Sequence, residues 1–169
     1  MPKLGKLVVS LTLLLTLVLD LSPAWAWGHI YYLKDVEYKV FELTNEVRQD
    51  HQLPPLRWDN TLVDMARAHS DDMLKRNYFS HVSPNGESFK DRLVPAYSRT
   101  LRRAGENIWA GHGYDYSDST LIARVIVDSW MSSPGHRANI LNPNFNYMGV
   151  GVLAMDKEIR ATQNFIQSR

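Results

Sequence analysis

Three residues hold most of the chemistry this sequence can offer: His81, Glu106 and His136. Each stands beside glycine or proline, or in a run of turn formers, with apolar residues on its flanks. His81 lies in Phe79-Ser80-His81-Val82-Ser83-Pro84-Asn85-Gly86, where the last four residues predict a loop. Glu106 lies in Ala104-Gly105-Glu106-Asn107-Ile108-Trp109, between a turn glycine and an apolar strand start. His136 follows Ser132-Ser133-Pro134-Gly135. The Pro-Gly pair ends the helix that runs into it, and a short apolar turn from His136 to Leu141 then fixes the backbone that aims the imidazole. Functional side chains gather at such edges of elements. Brought together, two imidazoles and a carboxylate make a divalent-metal set with an open position. The same three groups make an acid–base pair oriented by Glu106. They are far apart in the chain, with no local motif such as H-E-x-x-H, so spacing alone selects neither chemistry. It also allows three unrelated residues, each tied to the backbone by ordinary hydrogen bonds.

Other candidates carry less. His69 sits in the apolar stripe of a helix and reads as a hydrogen-bonded core histidine. Trp58, Trp109 and Trp130 read as core aromatics. Ser132 and Ser133 lack the G-x-S-x-G setting of a serine-hydrolase elbow. His112, in Ala110-Gly111-His112-Gly113-Tyr114, falls in a loop able to cover a cleft. The sequence has no cysteine, which removes thiol nucleophiles and cysteine-ligated zinc.

These residues need a scaffold, and hydrophobic periodicity supplies its outline. Val36, Val40, Leu43 and Val47 share one face of a helix over about Leu33 to Asp50. Leu53-Pro54-Pro55-Leu56 forces an extended turn. A second helix runs from about Asn60 to Asn77, capped by Asp59 or Asn60, with Leu62, Ala66, His69 and Met73 as its buried stripe. A third runs from near Ser119 to just before Pro134, with Ile122, Val125, Ile126, Ser129 and Trp130 on one face. The turn from His136 to Leu141 is the fourth. Tyr147 to Ala154 and Ile159 to Ile166 read as strands joined by a tight turn at Asp156 and Lys157, and Asn107 to Ala110 as a short third strand. Helices first and a hairpin last predict an α+β domain with helices packed on an antiparallel sheet.

Residues 1–26 read as a secretory signal peptide: Lys3 and Lys6, an apolar run from Leu7 to Leu19, and Ala24-Trp25-Ala26 as a cleavage site. The run is shorter than the ~20 residues of a membrane span, and Asp20 stops it; an uncleaved anchor is the alternative. Residues 27–169 then form a single domain, secreted or periplasmic, long enough for a core without disulfides. Removing the leader leaves equal numbers of basic and acidic residues, so nothing marks a nucleic-acid or anionic-lipid partner. The basic cluster of Arg99, Arg102 and Arg103 reads as a solvated loop. A monomer is expected, with no stable membrane span after cleavage.

Read in order, His81, Gly105-Glu106-Asn107, Trp130-x-x-Ser133-Pro134-Gly135-His136-x-x-Asn139-Ile140-Leu141 and Gly149-Val150-Gly151 resemble the CAP superfamily of cysteine-rich secretory proteins, antigen 5 and plant pathogenesis-related 1 proteins. Ala68-His69-Ser70-Asp71-Asp72-Met73 and Tyr78-Phe79-Ser80-His81 resemble its cysteine-free bacterial branch. The likeness runs from about Asp35 to Ile166. It implies a three-layer α-β-α sandwich with a central antiparallel sheet, and a cleft lined by His, Glu, Glu and His. Matched by position, these are His81, Glu106, Ser133 and His136, so one carboxylate of the tetrad is lost. Serine is a weak metal ligand and no base near neutral pH. His69 and Asn107 are secondary members of the cleft.

The resemblance implies a ligand-binding module for a divalent metal such as zinc, a lipid, a sterol or another small molecule. A zinc-assisted hydrolase using His81, Glu106 and His136 is the second reading. An envelope-associated protein with a vestigial cleft, making its contacts through Gly111 to Ser119, is the third.

Overall fold

The structure is a computed structural model that describes residues 28–97 and 101–168. The predicted leader and Arg99 lie outside these residues. Ten elements follow in order: β1 (Tyr31–Tyr32), α1 (Lys34–Asp50), β2 (Arg57–Trp58), α2 (Asn60–Lys75), α3 (Phe89–Tyr97), β3 (Leu101–His112), α4 (Ser119–Ser132), α5 (Pro134–Ile140), β4 (Tyr147–Met155) and β5 (Glu158–Ser168). The sheet order is β1-β4-β5-β3, and all of these pairs are antiparallel. The two-residue β2 adds a parallel pairing to β4. Among the described residues, no helix is long and apolar enough to cross a membrane.

Alternation along the strands separates the two faces. Val150, Val152 and Ala154 of β4 and Ile159, Ala161 and Phe165 of β5 are buried against Val36 and Val40 of α1, Ile122, Ile126 and Trp130 of α4, and Ile140 of α5. The opposite face carries α2 and α3, where Leu62, Leu93 and Ile166 form a second cluster. The result is the three-layer α-β-α sandwich that the resemblance implies. Asp59 caps α2 by accepting a hydrogen bond from the Leu62 N–H. The predicted stripe of α2, Leu62, Ala66, His69 and Met73, is buried throughout.

Two contacts fix α2 against the sheet. Gly149 and Gly151 lie directly beneath it, where a Cβ on either would overlap the helix backbone at Leu62–Val63 and Ala66–Arg67. The Ser70 hydroxyl donates to the Gly151 carbonyl at 3.0 Å and meets the Thr162 hydroxyl at 2.9 Å. Between the pairings of β4 with β2 and β1, buried Glu37 of α1 accepts from the Val152 N–H and from Arg67 of α2, which joins the layers around the sheet.

The structure corrects several expectations. Helix α3 was not foreseen: it is short and contains Pro95, which masks its periodicity. Strand β3 is much longer than Asn107 to Ala110, so Arg102 and Arg103 are strand residues rather than loop residues. A charged strand at the sheet edge alternates too weakly to read as one. Helix α5 begins at Pro134, not at His136, because proline suits the first helical position. His112 ends β3 and pairs with Glu158 at 2.8 Å instead of covering a cleft. Trp58 is only half-buried and stacks on Tyr38. The Asp156–Lys157 turn does form, with both residues at positive φ as a tight hairpin requires.

Gly151→Ala is expected to destabilise the protein by about 3 kcal/mol through overpacking against α2. Gly135→Ala, whose added methyl meets nothing, should stay neutral or gain about 0.5–1 kcal/mol. Urea midpoints at unchanged m-value check both.

Candidate functional site

Glu106 lies in the edge strand β3, opposite Asn164 of β5, with its side chain only 3% exposed. A carboxylate buried this far requires partners. One oxygen, Oε1, accepts from His81 Nδ1 at 2.8 Å; the other, Oε2, accepts from an Arg92 Nη2 at 2.8 Å. Because the carboxylate can only accept, the proton between it and His81 sits on Nδ1. Nε2 of His81 is then left for water or a ligand, on a side chain 47% exposed.

His81 reaches Glu106 from the loop after α2, and that loop is tied down at several points. The Tyr78 N–H donates to the Met73 carbonyl, and its hydroxyl donates to Asp72. His69, 2% exposed in α2, donates from Nε2 to the carbonyl of Ser80, the residue before His81, at 3.0 Å. Ser83 closes the turn onto the Glu87 carbonyl. Arg92 of α3 donates to the carbonyls of His81 and Glu87 at 3.3 Å as well as to Glu106. Nothing local in the sequence points to Arg92. Its stretch, Phe89-Lys90-Asp91-Arg92, has no motif. The available signal was electrostatic: a glutamate entering an apolar strand needs a cation beside it.

On the far side of β3, Asn107 is fully buried. Its Nδ2 donates to the His136 carbonyl at 3.2 Å and to Gln163, and its Oδ1 accepts from Asn139 at 2.9 Å. Asn139 lies over Gly105. These bonds dock α5 on the strand and so place His136. Its imidazole is half-buried, and burial first, then His81, pushes its pKa below the ordinary histidine value. Ser133 is the extended hinge between α4 and α5, and its hydroxyl does not cap the second helix.

The structure therefore joins His81 to Glu106 directly and adds Arg92, while His136 is not among the partners of Glu106. Among the described residues, no group of three or more His, Asp or Glu side chains could hold a metal ion. A divalent cation needs free donors. Each oxygen of Glu106 already accepts a hydrogen bond, one of them from a fixed guanidinium, His81 offers only Nε2, and Ser133 replaces the second carboxylate. The residues present do not fit a resident metal.

The pKa of His69 is also pushed below the usual 6.5, by burial above all. Both His69 and His136 favour the neutral form in the folded state, and the unfolded chain binds their protons more readily. Their contribution is full above pH 6.5 and is lost as pH falls toward their folded values. Tm should therefore drop between about pH 7 and 5.5, and His69→Gln should flatten that slope while lowering Tm at pH 7; thermal melts across the range check this.

A family model described as the cysteine-rich secretory protein family matches residues 41–165. The Bacillus subtilis protein YkwD is 45% identical over 115 residues, covering 68% of this chain and 41% of that protein. The chain spans less than half the length of the curated relatives it matches. An extracellular protein of Bacillus anthracis containing an SCP domain superposes with a TM-score of 0.65 at 41% identity, over 80% of this chain and 41% of that one. An outer surface protein of Borrelia burgdorferi shares the fold at a TM-score of 0.72 and 20% identity, over 84% of this chain and 99% of its own. With the family model, the relatives and the sandwich in agreement, the chain belongs to the cysteine-rich secretory protein, or CAP, family, in a cysteine-free form.

Proposed function

We propose that this protein is an extracytoplasmic binding module whose cleft, at His81, Ser133 and His136, takes a small amphipathic organic ligand such as a lipid or sterol. The observation that carries this reading is the oriented imidazole: Glu106, buried and itself held by Arg92, fixes a half-exposed His81 with Nε2 outward. A side chain immobilised in this way has already lost its rotamer freedom, so a ligand need not restrict it. His136, disposed to stay neutral, supplies a second imidazole. The Ser133 hydroxyl, free of a capping role, adds a donor and acceptor. Phe79 and Val82, flanking His81 in the loop, are 51% and 46% exposed and give the ligand an apolar surface beside its polar anchor. Placement outside the cytoplasm follows the predicted leader and relatives described as extracellular or outer-surface proteins.

A second reading rests on the same hydrogen bond. A histidine oriented by a carboxylate is half of an acid–base catalyst, and His81 can activate a water for hydrolysis. The catalyst would work without a metal.

Protein purified from a bacterial host, extracted with organic solvent and analysed by mass spectrometry, is expected to release a bound organic species near one per chain. The His81→Ala/His136→Ala double variant should retain less, by about tenfold or more. Protein that emerges empty and hydrolyses ester or peptide substrates in a His81-dependent way would replace the binding reading with the hydrolytic one.

A further inference from the structure

We infer that Arg92 sets what the cleft accepts: its guanidinium occupies the side of Glu106 that a divalent cation would need, and so closes the site to metals. The inference does not depend on which organic ligand the cleft takes. Glu106 has two oxygens, and the Arg92 Nη2 lies 2.8 Å from one of them. The other already accepts from His81 Nδ1. A cation entering beside Glu106 would meet a fixed positive charge and would have to displace it.

Arg92 is poorly placed to yield. Its side chain is 11% exposed, and its nitrogens also donate to the carbonyls of His81 and Glu87. Its guanidinium lies 6.0 Å from the centre of the Phe89 ring. The turn that presents it is locked by Ser88, which donates to Asp91 from both its backbone N–H and its hydroxyl. Moving Arg92 would release the His81 loop and leave a largely buried guanidinium without its carboxylate. Arginine also cannot shed its proton in a protein, so raising the pH does not open the site. What remains for a metal is Nε2 of His81 and the imidazole of His136, below the three protein ligands of an open zinc site.

Replacing arginine with an uncharged hydrogen-bonding residue should reverse this. In Arg92→Gln, Glu106 Oε2 is freed and the repelling charge is gone, so the Glu106 side chain can turn toward a cation held by His81 and His136, a rearrangement that Arg92 prevents in the wild type. The test is calorimetric titration of the purified protein with Zn²⁺, paired with Co²⁺ absorption as a report on nitrogen ligation. The wild type is expected to show no cleft-dependent binding. Arg92→Gln is expected to bind about tenfold or more tightly than the wild type, near one ion per chain, and to lose the gain when His81→Ala is added. Arg92→Lys, which keeps the charge, should behave as the wild type. Circular dichroism identifies any variant that fails to fold. Tight one-to-one binding by the wild type that disappears in the His81→Ala/His136→Ala variant would overturn the inference whatever the variants do. So would a folded Arg92→Gln with no gain.

Discussion

Much of this molecule depends on how closely α2 lies on β4. Gly149 and Gly151 remove the two side chains that would hold the helix off the sheet, and Ser70 uses the contact to bond a strand carbonyl. With so little space, small shifts of the helix meet backbone rather than flexible side chains. The position of α2 then fixes the start of the loop that follows it. His69, in the helix stripe, extends that control by holding the Ser80 carbonyl. The location of His81 is thus set by packing that begins well away from it.

The second constraint is the burial of Glu106. A carboxylate inside a protein must find donors, and this one finds two of different origin: an imidazole from the loop and a guanidinium from α3. Through Arg92 the same carboxylate also organises the carbonyls of His81 and Glu87. The site is therefore a network in which Glu106 orients, Arg92 neutralises and clamps, and His81 presents. Asn107, one residue on and on the opposite face of the strand, does the corresponding work for His136 through its backbone carbonyl. Adjacent residues of one strand thus serve His81 and His136 because successive side chains point to opposite faces.

This arrangement separates the chain from a metal-holding tetrad in two ways. Ser133 removes one carboxylate, and Arg92 engages the other. Both changes take carboxylate oxygens away from coordination and leave hydrogen-bonding groups in their place. The flanking apolar residues Phe79 and Val82 point the same way.

The sequence by itself determined the elements whose signals are local. Helical periodicity located α1, α2 and α4, a cap at Asp59 or Asn60 started α2, with the structure selecting Asp59, and two turn residues closed the β4–β5 hairpin. The loop position of His81 was also legible, because turn formers mark it from neighbours in the chain, whereas Glu106 lies inside β3 rather than at its start and His136 lies inside α5. Only tertiary structure decided the rest. Helix α3 is too short and too interrupted to carry a period, and β3 takes its length from pairing with β5 rather than from its own alternation. The partnership of His81, Glu106 and Arg92 joins residues from a loop, a strand and a helix. No spacing rule encodes it, because the cause is the desolvation of one carboxylate, which exists only after the sheet edge is covered. That is why the chain shows which residues are available for chemistry, whereas the fold decides that Glu106 holds an arginine.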